Sequence, residues 1–149
     1  MRISAKEDYA LRAVLQLALA DGGPLRRDEI AEAQDIPSAF LQNIFMELRH
    51  AELVEAQRGR DGGFRLARPA AEISVADVVR AVSGPLATVR GVRPQAVDYA
   101  ANATALRDVW VALRANIRDV LEHVTLADLA SGKLPAAVRK TVAKPEAWT

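Results

Sequence analysis

Two groups of side chains suited to nucleic-acid binding lie between Leu25 and Arg68, and the first is a polar helix face. Gln and Asn side chains can form paired hydrogen bonds with the edge of adenine, and a serine hydroxyl can contact a base or a phosphate. Ala39 is small enough to permit close approach of the helix to the duplex. This pattern predicts a helix that reads base edges in the major groove. Its candidate contact residues are Ser38, Ala39, Gln42 and Asn43.

The second group is a basic, glycine-rich connection between two short strand-like runs, 53–57 and 64–66. Arginine can bind phosphate or enter a narrow minor groove. Glycine accepts positive φ angles and lets the backbone approach the DNA. We therefore expect a β-hairpin whose tip contacts DNA, with Arg65 and Arg68 beside it. The candidate contact residues of the tip are Arg58, Gly59, Arg60, Gly62 and Gly63.

Helical periodicity and capping patterns indicate the elements that position these two groups. A Ser4-x-x-Glu7 capping box precedes the first apolar stripe, and Ser74-x-x-Asp77 precedes another. The third helix is expected to begin at Pro37 and to place Phe40 on its inner side. The fold class is mainly α with a small β-hairpin wing: a winged helix-turn-helix followed by a long C-terminal dimerisation helix. We expect its helices at about 5–20, 27–34, 37–50, 75–83 and 103–124.

The last of these helices carries apolar residues at steps of four and three. This 3.5-residue period is typical of a helix that pairs with another helix, and a symmetric dimer is the commonest way to provide one. The predicted dimerisation residues are Leu106, Trp110, Leu113, Ile117, Val120 and Val124. We divide the chain into a DNA-binding domain (1–84), a connecting loop at a sensor position (85–102), a dimerisation helix with a short helix (103–131) and a loosely ordered tail (132–149).

The composition narrows the range of functions. The chain has no cysteine and two histidines, which are isolated in sequence, so we expect no metal site and no cofactor. No nucleophile–base pair or phosphate-binding loop is evident, so we do not expect an enzyme. The apolar run 10–20 is interrupted by Arg12 and Gln16, and no stretch approaches the ~20 apolar residues of a membrane span. We expect a cytoplasmic protein without a membrane partner.

The distribution of charge leaves two functions open. Residues 1–84 carry 11 Lys and Arg against 13 Asp and Glu, whereas residues 57–68 carry four Arg against one Asp. A DNA-binding surface must therefore be local. The preferred interpretation is a sequence-specific regulator that binds double-stranded DNA as a homodimer. The alternative is a winged-helix module that binds other proteins, which the net acidic charge of residues 1–84 supports.

Several segments resemble the BadM/IscR-type (Rrf-two) winged-helix regulators over about residues 1–131. The resemblance implies a dimeric regulator, often a repressor, acting on palindromic promoter sites. It also implies DNA contacts at Ser38, Ala39, Gln42 and Arg58, although some members carry an acidic residue at the position of Gln42. The matching segments are 1–12, 30–37, Arg58-Gly59-x-x-Gly62-Gly63-Phe64-x-Leu66, 75–85 and 125–129.

The sequence departs from the iron–sulfur members of that family. Those members place three cysteines before the long helix, and residues 89–102 contain none. A cysteine-ligated cluster is therefore not expected, because such clusters are normally held by thiolates. Three ways in which the protein could be regulated without a cluster remain open. They are a small effector bound near Tyr99 and Trp110, a protein effector bound through the loop or tail, and regulation without an effector.

Overall fold

The computed structural model describes residues 2–149, which form seven α-helices and one two-stranded antiparallel sheet, joined in part by short 3₁₀ turns. None of the helices in this range is both long and apolar enough to cross a lipid bilayer. The elements are α1 (Ala5–Leu19), α2 (Arg27–Gln34), α3 (Ser38–His50), β1 (Val54–Gln57), β2 (Gly63–Leu66), α4 (Val75–Ser83), α5 (Thr104–Leu121), α6 (Leu126–Ser131) and α7 (Ala136–Val142).

Helices α1 to α3 form the helix-turn-helix. The predicted capping box at Ser4 and Glu7 is present and fixes the start of α1. Asp35 takes a left-handed conformation at the end of α2, which turns the chain so that Ile36 enters the core. Pro37 caps α3 rather than occupying its first turn. The core is built from the apolar faces of α1 to α4, including Val14, Leu17, Ile30, Leu41, Ile44, Phe45, Leu48 and Val78.

The β-hairpin pairs Val54 with Leu66 and Gln57 with Gly63, so residues 58–62 form its tip. A third short segment joins the sheet at Leu25, which exchanges two backbone hydrogen bonds with Phe64, of 2.9 and 2.7 Å. The hairpin is therefore attached along one side to the segment between α1 and α2. Sheets of only two strands are marginal in isolation, and this additional pairing supports the hairpin.

Helix α6 packs into the core that α1 to α4 form. Ser74 and Thr125 form an antiparallel bridge, and each is the N-cap of a helix with a complete capping box. Leu126, which follows, is fully buried with the residues of α1 and α4. The sequence analysis grouped this short helix with the dimerisation helix, whereas its buried side chain packs with α1 and α4.

Helix α5 has no residue that is buried within the chain. The predicted seam divides into two edges. Leu106, Leu113 and Val120, seven residues apart, are each 40–45% exposed. Trp110 lines a cavity against the preceding connection, and Ile117 packs against a small cluster of α4 residues.

Val124 does not belong to the seam, which corrects its assignment as a dimerisation residue. It lies beyond the end of α5 and is 5% exposed, packed in the same cluster as Ile117. Helix α5 ends at Leu121, so the apolar pattern in the sequence extends about one turn beyond the end of the helix.

The segments expected to lack regular structure are more ordered than predicted. Two 3₁₀ turns, Pro94–Ala96 and Ala101–Ala103, interrupt the connection before α5, and Pro94 and Val97 are buried. The tail after Gly132 forms α7 and a final 3₁₀ turn, Pro145–Trp148. Pro135 caps α7, so the proline that indicated a loose tail instead begins a helix.

Candidate nucleic-acid interface

The outer face of α3 carries the four residues selected from the sequence. Ser38, Ala39, Gln42 and Asn43 are all exposed, because the buried stripe of this helix is formed by other positions. With 3.6 residues per turn, these four positions fall within an arc of about 140° around the helix, so they form one continuous surface. An exposed polar helix face backed by a firm apolar core is the form that a recognition helix requires.

Ser38 also contacts the preceding helix. Its hydroxyl donates a hydrogen bond of 3.1 Å to a carboxylate oxygen of Asp28 in α2. The bond orients the serine oxygen and leaves its lone pairs available to an amino group on a base. Asp28 brings a negative charge to the N-terminal end of the recognition helix, which disfavours a phosphate at that point. No local sequence pattern indicates this contact, because its two partners are ten residues apart.

The tip of the hairpin presents two exposed arginines, Arg58 and Arg60. Neither forms an ion pair with any other residue in the part of the chain that the structure describes. Arg65, by contrast, is paired across the hairpin with Glu55. A guanidinium already bound to a carboxylate is a weaker candidate for phosphate, so Arg58 and Arg60 are the stronger candidates for a DNA contact.

The glycines of the hairpin have different roles. A Cβ at Gly62 would overlap the carbonyl oxygen of Gln57, and one at Gly63 would overlap the backbone of Leu25. These two glycines are therefore required by the fold, the second because the bridge at Leu25 lies directly against it. Only Gly59 has open space around its Cα and a φ of +109°. It is the one position of the three where the predicted close approach to DNA is the simplest explanation.

The hairpin is fixed to the recognition helix by a pair of aromatic rings. Phe64 of β2 stacks on Phe45 of α3 with ring centroids 4.1 Å apart and planes inclined by 12°. Phe45 is fully buried, so Phe64 is held against a rigid surface. Phe64 is also the residue that bridges to Leu25. The two predicted DNA-contacting surfaces are thus joined through packed side chains and backbone hydrogen bonds.

Phe40 differs from the sequence prediction. It was expected on the inner side of the third helix, but it is 53% exposed. Its ring packs edge-to-face with that of Tyr9 in α1, with centroids 5.5 Å apart and planes at 65°. The buried face of α3 includes Leu41 and Ile44 but does not extend as far as Phe40. Phe40 therefore lies at the margin of the candidate DNA surface.

The two residues proposed to bind an effector do not share a site. Trp110 lines an apolar cavity of about 320 Å³ together with Val89, Pro94 and Leu113. Tyr99 is not among the lining residues, and Arg90 lies over its ring, 6.0 Å from the centroid.

A polar recognition helix, an arginine-tipped wing fixed to it and a helix-turn-helix core define a winged helix-turn-helix DNA-binding protein of the transcription-regulator class. The comparisons with known proteins give the same class. The family model Rrf2, described as an iron-dependent transcriptional regulator, matches residues 3–132. The chain belongs to the Rrf2 family.

Relatives and solved structures of this family are similar over most of their length. The chain is 52% identical to Rv1287 of Mycobacterium tuberculosis, named as an HTH-type transcriptional regulator, over 93% of this chain and 86% of that one. It is 32% identical to the HTH-type transcriptional regulator CymR of Bacillus subtilis, over 88% and 91%. The structure of B. subtilis CymR, the global cysteine regulator, aligns with a TM-score of 0.75 at 30% identity, over 88% and 97% of the two chains. That of T. potens IscR aligns with a TM-score of 0.71 at 28% identity, over 100% and 97%.

The side chains of this chain do not include the thiolates that normally hold an iron–sulfur cluster. The sequence has no cysteine. Between residues 2 and 149, the structure brings together no group of three or more His, Cys, Asp or Glu side chains that could hold a metal ion. This chain therefore has no ligands for a cysteine-ligated iron–sulfur cluster. The lack of cysteine distinguishes it from the cluster-binding members of its family.

Proposed function

We propose that this regulator is a homodimeric repressor that binds a palindromic operator through α3 and the hairpin tip of each subunit. The observation that carries the proposal is the continuous polar face of α3, with the unpaired arginines of the tip attached to the same helix through Phe64. In winged helix-turn-helix proteins such a helix occupies the major groove, and a two-fold dimer matches a site with two-fold symmetry.

The dimer is inferred from the exposed edge of α5. An 18-residue helix with no buried residue leaves Leu106, Leu113 and Val120 in water, with Val109 between them at 55% exposure. Contact with a partner subunit would cover this edge, and the dimer would be stabilised by roughly 25 cal/mol for each Å² of apolar surface removed from water. A second copy of α5 is the natural partner because an isologous pair buries the same edge twice.

Replacement of Arg58 by alanine is expected to weaken operator binding by the dimer about a hundredfold, roughly tenfold for each half-site, for all DNA sequences alike. The loss corresponds to one charge-assisted hydrogen bond to phosphate in each half-site. The slope of log affinity against log salt concentration should become shallower by roughly one per half-site, because fewer counterions are released. Fluorescence anisotropy with the protein's own upstream promoter DNA, across a salt series, measures both quantities.

Arg139→Ala provides the matched control for this measurement. Arg139 is also exposed, and it lies on α7, away from the hairpin. Its removal lowers the net charge by the same amount, so it should leave both affinity and salt slope nearly unchanged. Equal losses in the two variants would show that Arg58 acts only through the general charge of the protein.

Replacement of Gln42 by alanine is expected to change base preference with little effect on the salt slope. An amide side chain that pairs with a base edge supplies about 1–3 kcal/mol of discrimination and no charge. Selection of bound sequences from an operator library, with the wild type in parallel, should show relaxed preference at one base pair of each half-site. An unchanged preference would remove Gln42 from the set of base-reading residues.

A further inference from the structure

Four arginines from three parts of the chain meet at a cleft outside the candidate DNA interface. Arg80 comes from α4, Arg93 from the connection before α5, and Arg114 and Arg118 from α5 itself. The cleft has a volume of about 560 Å³. Gln95 and the turn of residues 84–86 complete its lining.

The positive charge of this cleft is only partly balanced. Glu122 forms ion pairs with Arg80 and Arg118. The hydrogen bonds that it accepts, chiefly from Arg118 and secondly from Arg80, lower the pKa of its carboxyl to about 2. Within residues 2–149, neither Arg93 nor Arg114 forms an ion pair. The lining of the cleft thus carries four guanidinium groups, of which two are paired with one carboxylate, so the cleft has a net positive charge that favours an anion.

Arg114 is oriented as a ligand-binding arginine would be. Its Nε donates a hydrogen bond of 3.2 Å to the carbonyl oxygen of Leu86, and its side chain is partly buried. The bond fixes the plane of the guanidinium and leaves the terminal nitrogens free of protein acceptors. A planar guanidinium held in this way matches the two oxygens of a carboxylate or phosphate.

We propose that the cleft binds a small organic anion that carries at least two negative charges as carboxylate or phosphate groups. The volume is within the range of small-molecule sites, and Arg93 and Arg114 provide two unpaired positive charges. The cleft is built by α4, α5 and their connection, and none of these contributes to the candidate DNA interface. The site is therefore an addition to the proposed DNA-binding function and does not depend on it.

The test is binding of defined anions to the full chain in the absence of DNA. Inorganic phosphate, pyrophosphate and citrate are compared with chloride at constant ionic strength, by thermal unfolding and isothermal titration calorimetry. For pyrophosphate or citrate at about 100 times the dissociation constant, linkage predicts a rise in melting temperature of roughly 5–11 °C. The double variant Arg93→Ala/Arg114→Ala should lose at least tenfold in affinity.

Two further variants separate specific binding from general electrostatics. Arg139→Ala/Lys140→Ala removes the same charge from the exposed face of α7 and should bind the anions as the wild type does. Arg114→Lys keeps the charge without the planar fork and should have intermediate affinity. Because the side chain of Arg93 is exposed, Arg93→Ala alone keeps the test valid if the double variant does not fold.

Three results would overturn the proposal. The first is that the wild type shows no saturable binding of pyrophosphate or citrate. The second is that the cleft variant and the α7 variant lose affinity equally. The third is that the cleft variant binds the anions normally but has a shallower salt slope with promoter DNA, which would assign these arginines to DNA phosphates.

Discussion

Leu113→Glu combined with Val120→Glu is expected to convert the protein from a dimer to a monomer and to reduce operator affinity on the order of 10²- to 10⁴-fold. The side chains of Leu113 and Val120 are 42% and 45% exposed on this edge of α5, so in the monomer a glutamate at either position can reach water, although Leu113 also borders the cavity of Trp110. In the proposed dimer they would lie opposite one another across an apolar surface, where unpaired charges are costly. The loss of affinity follows because two linked half-sites bind far more tightly than one.

Light scattering coupled to size exclusion measures the oligomeric state, and anisotropy measures operator affinity in the same samples. Leu19→Glu is the control, since Leu19 is 53% exposed at the end of α1 and its replacement adds the same type of charge. The control should remain dimeric. A wild-type protein that is already monomeric at micromolar concentration would refute the proposed role of α5, as would a double variant that stays dimeric.

The second large effect is expected from Gly63→Ala, which should destabilise the fold by at least about 2 kcal/mol. The new Cβ would overlap the backbone of Leu25, and the φ of +152° disfavours any residue with a side chain. The melting temperature should fall by roughly 4–8 °C for a domain of this size. DNA affinity should also fall, because the hairpin can no longer pair with Leu25 and hold its tip in position.

Gly59→Ala distinguishes this explanation from a general effect of glycine replacement. Gly59 has a positive φ but open space around it, so alanine there should cost only about 1 kcal/mol of backbone strain. We expect the melting temperature to fall less for Gly59→Ala than for Gly63→Ala by circular dichroism. If both variants are equally stable, the contact with Leu25 does not require glycine.

The helix-turn-helix could be predicted because its signals are local. The capping boxes at Ser4 and Ser74 lie three residues from their acidic partners, and the buried stripe of α3 follows one helical period. The glycine pattern between two strand-like runs likewise indicated the hairpin. Each of these features depends on residues within one or two turns of each other, where sequence spacing determines geometry.

The features that could not be predicted depend on residues distant in sequence. The 3.5-residue period of α5 did not show that one edge of the stripe packs on the helix's own chain while the other remains exposed. The structural need for Gly63 arises from Leu25, 38 positions earlier. The cluster around Arg93 and Arg114 forms only when the connection between α4 and α5 folds back on α5, and no local sequence pattern indicates this contact.

The stacking of Phe64 on Phe45 has a consequence for how such a regulator can be controlled. Because the hairpin packs on α3 through these rings and pairs with Leu25, we expect each half of the proposed dimer to move as one unit. An effector would then act on the separation and orientation of the two units, and not on the shape of either one. Operators that differ only in the number of base pairs between their half-sites should therefore respond to the same signal to different degrees.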